Sequence, residues 1–194
     1  MITKNSLVKK LTEELENIDE GSITLLVFNA KDYSVLTHEA LNFLIRKKDA
    51  GVAYIAVNRP YRYMLNMLKD KQLYESSAES LLFIDCITYM ANMLPETDDR
   101  CVFIQNPASL EEMNMYVFDL LEKLRTKNKI LFIDSLSTLL LYNDIGRLKT
   151  FLYSLVSKLR LNTHGGLFII VEEFSADIIA KTFTGMCDSI VKIE

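Results

Sequence analysis

The chain has 194 residues, 49% of them apolar and 25% charged, and a net charge of −4. That length supports one substantial core, and the composition belongs to a globular protein rather than a disordered or fibrous one. The acidic balance argues against a dedicated nucleic-acid binder, which carries a basic surplus.

Residues 1–20 hold an amphipathic helix, Ser6–Ile18, with Leu7, Leu11, Leu15 and Ile18 on one stripe. The stripe fits a flap packed on the rest of the chain or a docking helix for a partner, and Gly21 ends the segment. Residues 21–194 read as a single α/β domain. Its expected strands are Ile23–Phe28, Val52–Val57, Leu81–Asp85, Val102–Gln105, Ile130–Asp134, Leu167–Val171 and Ser189–Ile193. Most are short, continuously apolar runs, as strands covered on both faces are. Helical patterns separate most of them: Tyr33–Lys48, Tyr61–Lys71, Ser109–Arg125, Asp144–Arg160 and Ala176–Phe183. Ser109 and Glu112 have capping-box spacing, and Asn162–Gly166 stops the fourth helix. Asp70–Ser80 and Leu94–Arg100 read as exposed loops. Such alternation predicts a mostly parallel sheet with helices on both faces.

The turn after the first strand, Asn29–Thr37, contains no glycine, and its only lysine, Lys31, comes early. A phosphate cradle needs glycines so that backbone N–H groups can close around the anion, and a lysine for the outer phosphates. Open α/β sheets bind ligands beyond the carboxyl ends of their strands. Those ends carry Asn29, Asn58-Arg59, Asp85, Gln105-Asn106, Asp134-Ser135 and Glu172-Glu173. Asp85 and Asp134 each follow four apolar residues, a position that either holds magnesium through water or caps the next turn. The cysteines, Cys86, Cys101 and Cys187, are dispersed and read as core or near-core residues in a reducing compartment. His38 and His164 read as solvated or loosely packed. Met64, Met67, Met90, Met93, Met113 and Met115 read as core filler. Lys123, Arg125, Lys127 and Lys129 lie at a helix C-terminus, where cations are favoured.

From Ile130 onward the pattern resembles a known fold. An apolar strand ends in Asp134-Ser135-Leu136-Ser137; an amphipathic helix follows, then Gly165-Gly166, another apolar strand and Cys187-Asp188-Ser189-Ile190-Val191. This is similar to the RecA-like P-loop ATPase superfamily, in the KaiC-like group common in archaea, and the likeness runs from about Gly21 to the C-terminus. It implies a three-layer sandwich around a mostly parallel sheet. It places Asp134 on the Walker B aspartate. Setting Ala40–Leu44 against the family's first helix puts Ala30 and Val35 on the two Walker A glycines, Leu36 on the lysine and Thr37 on the Ser/Thr. Asn58-Arg59 stands where the family carries a Glu pair that polarises the attacking water.

Phosphoryl transfer depends on positioning and on neutralising the phosphates. Without the Gly/Lys pair and the catalytic Glu, ATP hydrolysis is not expected, and neither is a bound cofactor. The resemblance implies a pseudo-ATPase, acting in regulation or assembly through protein–protein contacts with a RecA/KaiC-like ATPase or with itself. A second reading keeps an atypical nucleotide site for ATP, with Lys31 folding over a phosphate and Thr37 and Asp134 holding magnesium. A third is a DNA-associated RecA-like accessory protein. No apolar run reaches the ~20 residues of a membrane span. Leu7-Val8 is followed at once by Lys9-Lys10, unlike a secretory signal, and the chain reads as cytoplasmic.

Overall fold

In the computed structural model, which describes residues 4–70, 79–95, 97–172 and 176–194, the alternation becomes a layered α/β fold. The elements run α1 (Lys4–Glu16), β1 (Ile23–Asn29), α2 (Tyr33–Arg46), β2 (Ala50–Ala56), α3 (Tyr61–Asp70), β3 (Leu81–Asp85) and β4 (Cys101–Phe103). They continue with α4 (Leu110–Lys123), β5 (Asn128–Asp134), α5 (Leu136–Tyr142), α6 (Ile145–Leu161), β6 (Gly165–Glu172), α7 (Ala176–Phe183) and β7 (Ser189–Ile193). Among the described residues, seven strands form one sheet in the order β4-β3-β2-β5-β6-β1-β7, and every pairing is parallel.

The sequence pattern follows from what covers the sheet. Central strand β2 is buried at all seven positions, and its run is continuously apolar. Edge strand β7 alternates instead, with Val191 and Ile193 buried and Ile190 and Lys192 exposed. One face packs on α1, α2 and α3 through Tyr54, Phe83, Phe132 and Ile169. The other packs on α4 to α7 through Ile55, Ile84, Ile133 and Ile170. Leu7, Leu11 and Leu15 of α1 are buried in the first of these layers, so the apolar stripe of the first helix lies against its own chain. Asp188 ties β7 to its neighbours: it accepts from the Ile23 amide at 2.7 Å and from Arg160 at 2.8 Å.

The two sheet edges differ from the interior. β4 has only three residues. On β7, Lys10 reaches over from α1 to donate to the Lys192 carbonyl at 3.1 Å, and the Lys192 ammonium pairs with Glu172 at 2.7 Å and with Glu194.

Several expectations are corrected. Helix α5 is absent from the sequence reading, and so is its N-cap, in which the Ser135 hydroxyl accepts from the Thr138 amide. Gly165 and Gly166 are strand residues, and the turn before them is made by Thr163 at φ 56°. Gly166 is small for packing: a Cβ there would lie 3.0 Å from Ile23 and from the Phe168 ring. The Ser109 capping box does not form, since the Ser109 side chain makes no cap bond; Asn106 turns the chain by accepting from the Ala108 amide at 2.8 Å. His38 is buried rather than solvated, and Met90, Met93 and Met115 are exposed rather than core. Of the loops expected at Asp70–Ser80 and Leu94–Arg100, residues 71–78 and 96 lie outside the described residues, as does Glu173.

The path of the chain opens a crevice. From β2 it leaves to α3 on one face, and from the adjacent β5 it leaves to α5 on the other. Connections that diverge from neighbouring parallel strands leave space between them at the carboxyl ends. The β2–β5 register sets Ala56 opposite Asp134, so Asn58, Arg59, Asp134 and Ser135 all arrive there.

Candidate functional site

A cleft of about 640 Å³ opens over these strand ends. Its walls come from the turn after β1 (Ala30, Tyr33), the turn after β2 (Asn58, Arg59), the segment after β3 (Met90) and α5 (Thr138, Leu141). Beneath it lies Asp134, wholly buried. The Tyr33 hydroxyl donates to one Asp134 oxygen and the Tyr54 hydroxyl to the other. Tyr54 is itself fully buried, its ring stacked on Phe132 with centroids 5.0 Å apart. It reaches the carboxylate because it lies two residues before Ala56, on the same side of the pleat as Phe132 and Asp134.

A second layer of bonds holds Tyr33. Asn58 donates to the Tyr33 hydroxyl at 2.7 Å and to the Ser135 hydroxyl at 3.3 Å, and its carbonyl accepts from Thr138. Ser137 donates to the Val171 carbonyl at 3.2 Å and accepts from the Val171 amide at 3.0 Å, joining α5 to β6. Burial pushes the Asp134 carboxyl above the usual carboxylate range, against the opposing pull of the two hydroxyls and Arg59. Burial, then the Asp134 charge, pushes both phenols up.

The three residues singled out in the sequence lie in different surroundings. Lys31 is solvent-exposed (76%), 4.0 Å from Asp32, and lines a separate recess with Lys4, Glu172 and Glu194. Thr37 is wholly buried on α2, and its hydroxyl has no partner among the described residues. No hydrogen bond or ion pair joins Lys31, Thr37 and Asp134 among the described residues. Asp85 is a turn-capping carboxylate: it accepts from the amides of Tyr61, Ile87 and Thr88 at 2.6–2.8 Å and from the Thr88 hydroxyl at 2.7 Å. In the basic run, Lys129 is a helix cap, donating to the Leu121 carbonyl at 2.6 Å.

Sequence reasoning missed Tyr33, Tyr54 and the placement of Arg59. The Arg59 guanidinium lies over the Tyr33 ring at 4.8 Å and the Tyr63 ring at 5.8 Å. The readable signal was Tyr54, a hydroxyl inside an otherwise apolar central strand. Among the described residues, no cluster of three or more His, Cys, Asp or Glu forms a metal-binding group, and no helix is long and apolar enough to cross a membrane.

No protein-family pattern matches the chain, and no curated protein does. Solved structures do. A KaiC-like protein, PH0186, from the hyperthermophilic archaeon Pyrococcus horikoshii OT3 is similar at 10% identity and TM-score 0.58, over 90% of this chain and 72% of that one. An uncharacterized protein, PH0321, from Pyrococcus horikoshii, solved in complex with an unknown peptide, is similar at 12% identity and TM-score 0.64, over 99% and 84%. With its all-parallel sheet sandwiched between helices, the chain has the RecA-like fold of KaiC-like proteins.

Proposed function

We propose that this RecA-like domain is a pseudo-ATPase that works through contacts with other polypeptides, in regulation or assembly. The observation that carries the reading is the seal over Asp134. Magnesium demands near-ideal octahedral geometry and direct or water-mediated carboxylate oxygens. Both Asp134 oxygens are instead engaged by tyrosine hydroxyls. Tyr33 holds this position from the first turn of α2, where a phosphate-binding fold presents backbone N–H groups to its anion. Lys31 is turned to solvent beside Asp32, and the Thr37 hydroxyl is buried. These residues do not fit a magnesium nucleotide, and they read as a Walker A turn and a Walker B aspartate turned to structural use.

Contact with a polypeptide is supported by the exposed apolar side chains around the cleft, Leu141, Tyr142 and Met90. It is also supported by the similar fold of the Pyrococcus horikoshii protein whose structure holds a peptide. The partner is an active RecA/KaiC-like ATPase or a second copy of this chain. The test is a thermal-shift titration with ATP and ADP in the presence of magnesium, with light scattering on the same sample. The expected result is no nucleotide-dependent shift. Stabilisation by several degrees at sub-millimolar nucleotide means real binding and would overturn the proposal.

A further inference from the structure

We infer that the cleft is a docking site for a polypeptide segment that presents an acidic side chain flanked by apolar ones, with Arg59 as the receptor of the carboxylate. The inference rests on the proposal that the domain works through polypeptide contacts, and it names the chemistry of the contact.

Among the described residues, Arg59 is the only charged one lining the cleft, and no carboxylate lines it. Its guanidinium lies over the Tyr33 ring and near the Tyr63 ring. Its Nη1 is buried and has no hydrogen-bond partner among the described residues. A buried guanidinium N–H without an acceptor is an unfavourable arrangement that native structures rarely leave in place. The planar fork suits a carboxylate, which it binds through two parallel N–H···O bonds. The nearby Asp134 accepts from Tyr33 and Tyr54 and has no hydrogen bond to Arg59 among the described residues.

The polar side chains on the cleft floor are engaged with neighbouring groups. Asn58 is bonded to Tyr33, Ser135 and Thr138, and Ser137 to the backbone of Val171. One cation among the described residues, over a floor whose Asn58, Ser137 and Thr138 are engaged, suits a single carboxylate better than a polyphosphate, which needs several N–H donors and more than one positive charge. The rim supplies the apolar half of the contact. Leu141 is 81% exposed on α5, with Tyr142 and Met90 also exposed beside the same opening. Exposed apolar side chains gathered at a concave site mark a binding surface more than scattered ones do. Aromatic and arginine groups at the centre of such a patch are the usual anchors of protein recognition.

The experiment is a selection of random peptides displayed on phage against the full chain, followed by fluorescence-anisotropy titration of the enriched peptides. Four variants accompany the wild type: Arg59→Gln, Arg59→Lys, Leu141→Ser and, as a control away from the cleft, Leu161→Ser. The expected result is an enriched motif with Asp or Glu next to apolar residues. Its affinity should fall by about tenfold or more in Arg59→Gln, fall less in Arg59→Lys, fall measurably in Leu141→Ser and stay unchanged in Leu161→Ser. A circular-dichroism melt of each variant shows whether it folds, and Leu141→Ser, an exposed change, carries the test should Arg59→Gln unfold. Enriched peptides without a carboxylate, or binding indifferent to both Arg59 and Leu141, would overturn the docking site while leaving the pseudo-ATPase reading intact. Competition by magnesium ATP for the same peptide would overturn both.

Discussion

Tyr54→Phe is the sharpest probe of the seal. The substitution keeps the ring, which is stacked 5.0 Å from Phe132 and tilted 5.5 Å from Phe83, and removes only the hydroxyl. It takes from one Asp134 oxygen its tyrosine donor, in a position with no access to water. A hydrogen bond to a charged group contributes roughly 1.5–3 kcal/mol, so a loss of about 2 kcal/mol is expected where Asp134 is ionised. That is a visible share of the ~5–15 kcal/mol by which domains are stable. The pH dependence fixes the cause. Burial raises the Asp134 carboxyl in the folded chain, so the native state keeps this proton at higher pH than the unfolded chain, whose Asp titrates near ~3.9. Its stabilising contribution is therefore complete below the unfolded value and is lost as pH rises through the folded one. Removing the Tyr54 hydroxyl removes a bond that favours the carboxylate and moves the folded value further up. The deficit of Tyr54→Phe should accordingly be larger near pH 8 than near pH 5, and it should shrink when Asp134→Asn is added. Urea unfolding at both pH values, with the denaturant slope unchanged, measures it. A deficit below about 0.5 kcal/mol at both pH values, the ordinary range of a neutral surface change, or a larger deficit at the lower pH, would refute the reasoning.

Four further outcomes are expected. In Gly51→Ala the new Cβ would lie 2.1 Å from the Thr126 hydroxyl and 3.2 Å from the Leu124 Cβ; overpacking of this kind costs about 1–3 kcal/mol, read as a lower urea midpoint. Asp85→Ala leaves three backbone amides without their acceptor and should destabilise by about 3 kcal/mol or more, whereas a change within experimental error would mean that these amides find other partners. Burial raises all three thiols, Cys187 to about 12, and Cys86 and Cys101 are buried. The native chain should therefore react slowly with a disulfide reagent near pH 8, with Cys187 labelled first. For the same reason stability should fall as pH rises above ~8.5, where unfolded thiols ionise and native ones do not.

The fold was legible because its signal is additive along each strand. Ile23–Phe28, Leu81–Asp85 and Ile130–Asp134 are continuously apolar since helices cover both faces, and a parallel arrangement follows from the helices between them. Helix α5 was not legible: seven residues, LSTLLLY, are too short to show a helical period. The site was only half legible. Asp134 stood out at a strand end, but its partners are set by register and tertiary packing. The Tyr54 hydroxyl stands out in an apolar strand, but its partner is fixed only when β2 is laid beside β5 with Ala56 opposite Asp134. Ser109 and Glu112 have the spacing of a cap, but the Ser109 side chain makes no cap bond, and the turn before the helix is held by Asn106.

The Lys10 contact with the Lys192 carbonyl bears on how copies of this chain can meet. The outer margin of β7 is a row of backbone groups that another extended chain could pair with, and such margins seed uncontrolled growth. Here a lysine from the first helix occupies a carbonyl of that row, charged Lys192 stands next to it, and the opposite margin is a strand of three residues. Neither end of the sheet offers a long, bare template. That leaves helix surfaces and strand-end clefts as the faces open to a partner. The first helix is a guard as well as a cover, and its removal should bare the β7 margin to edge-to-edge growth.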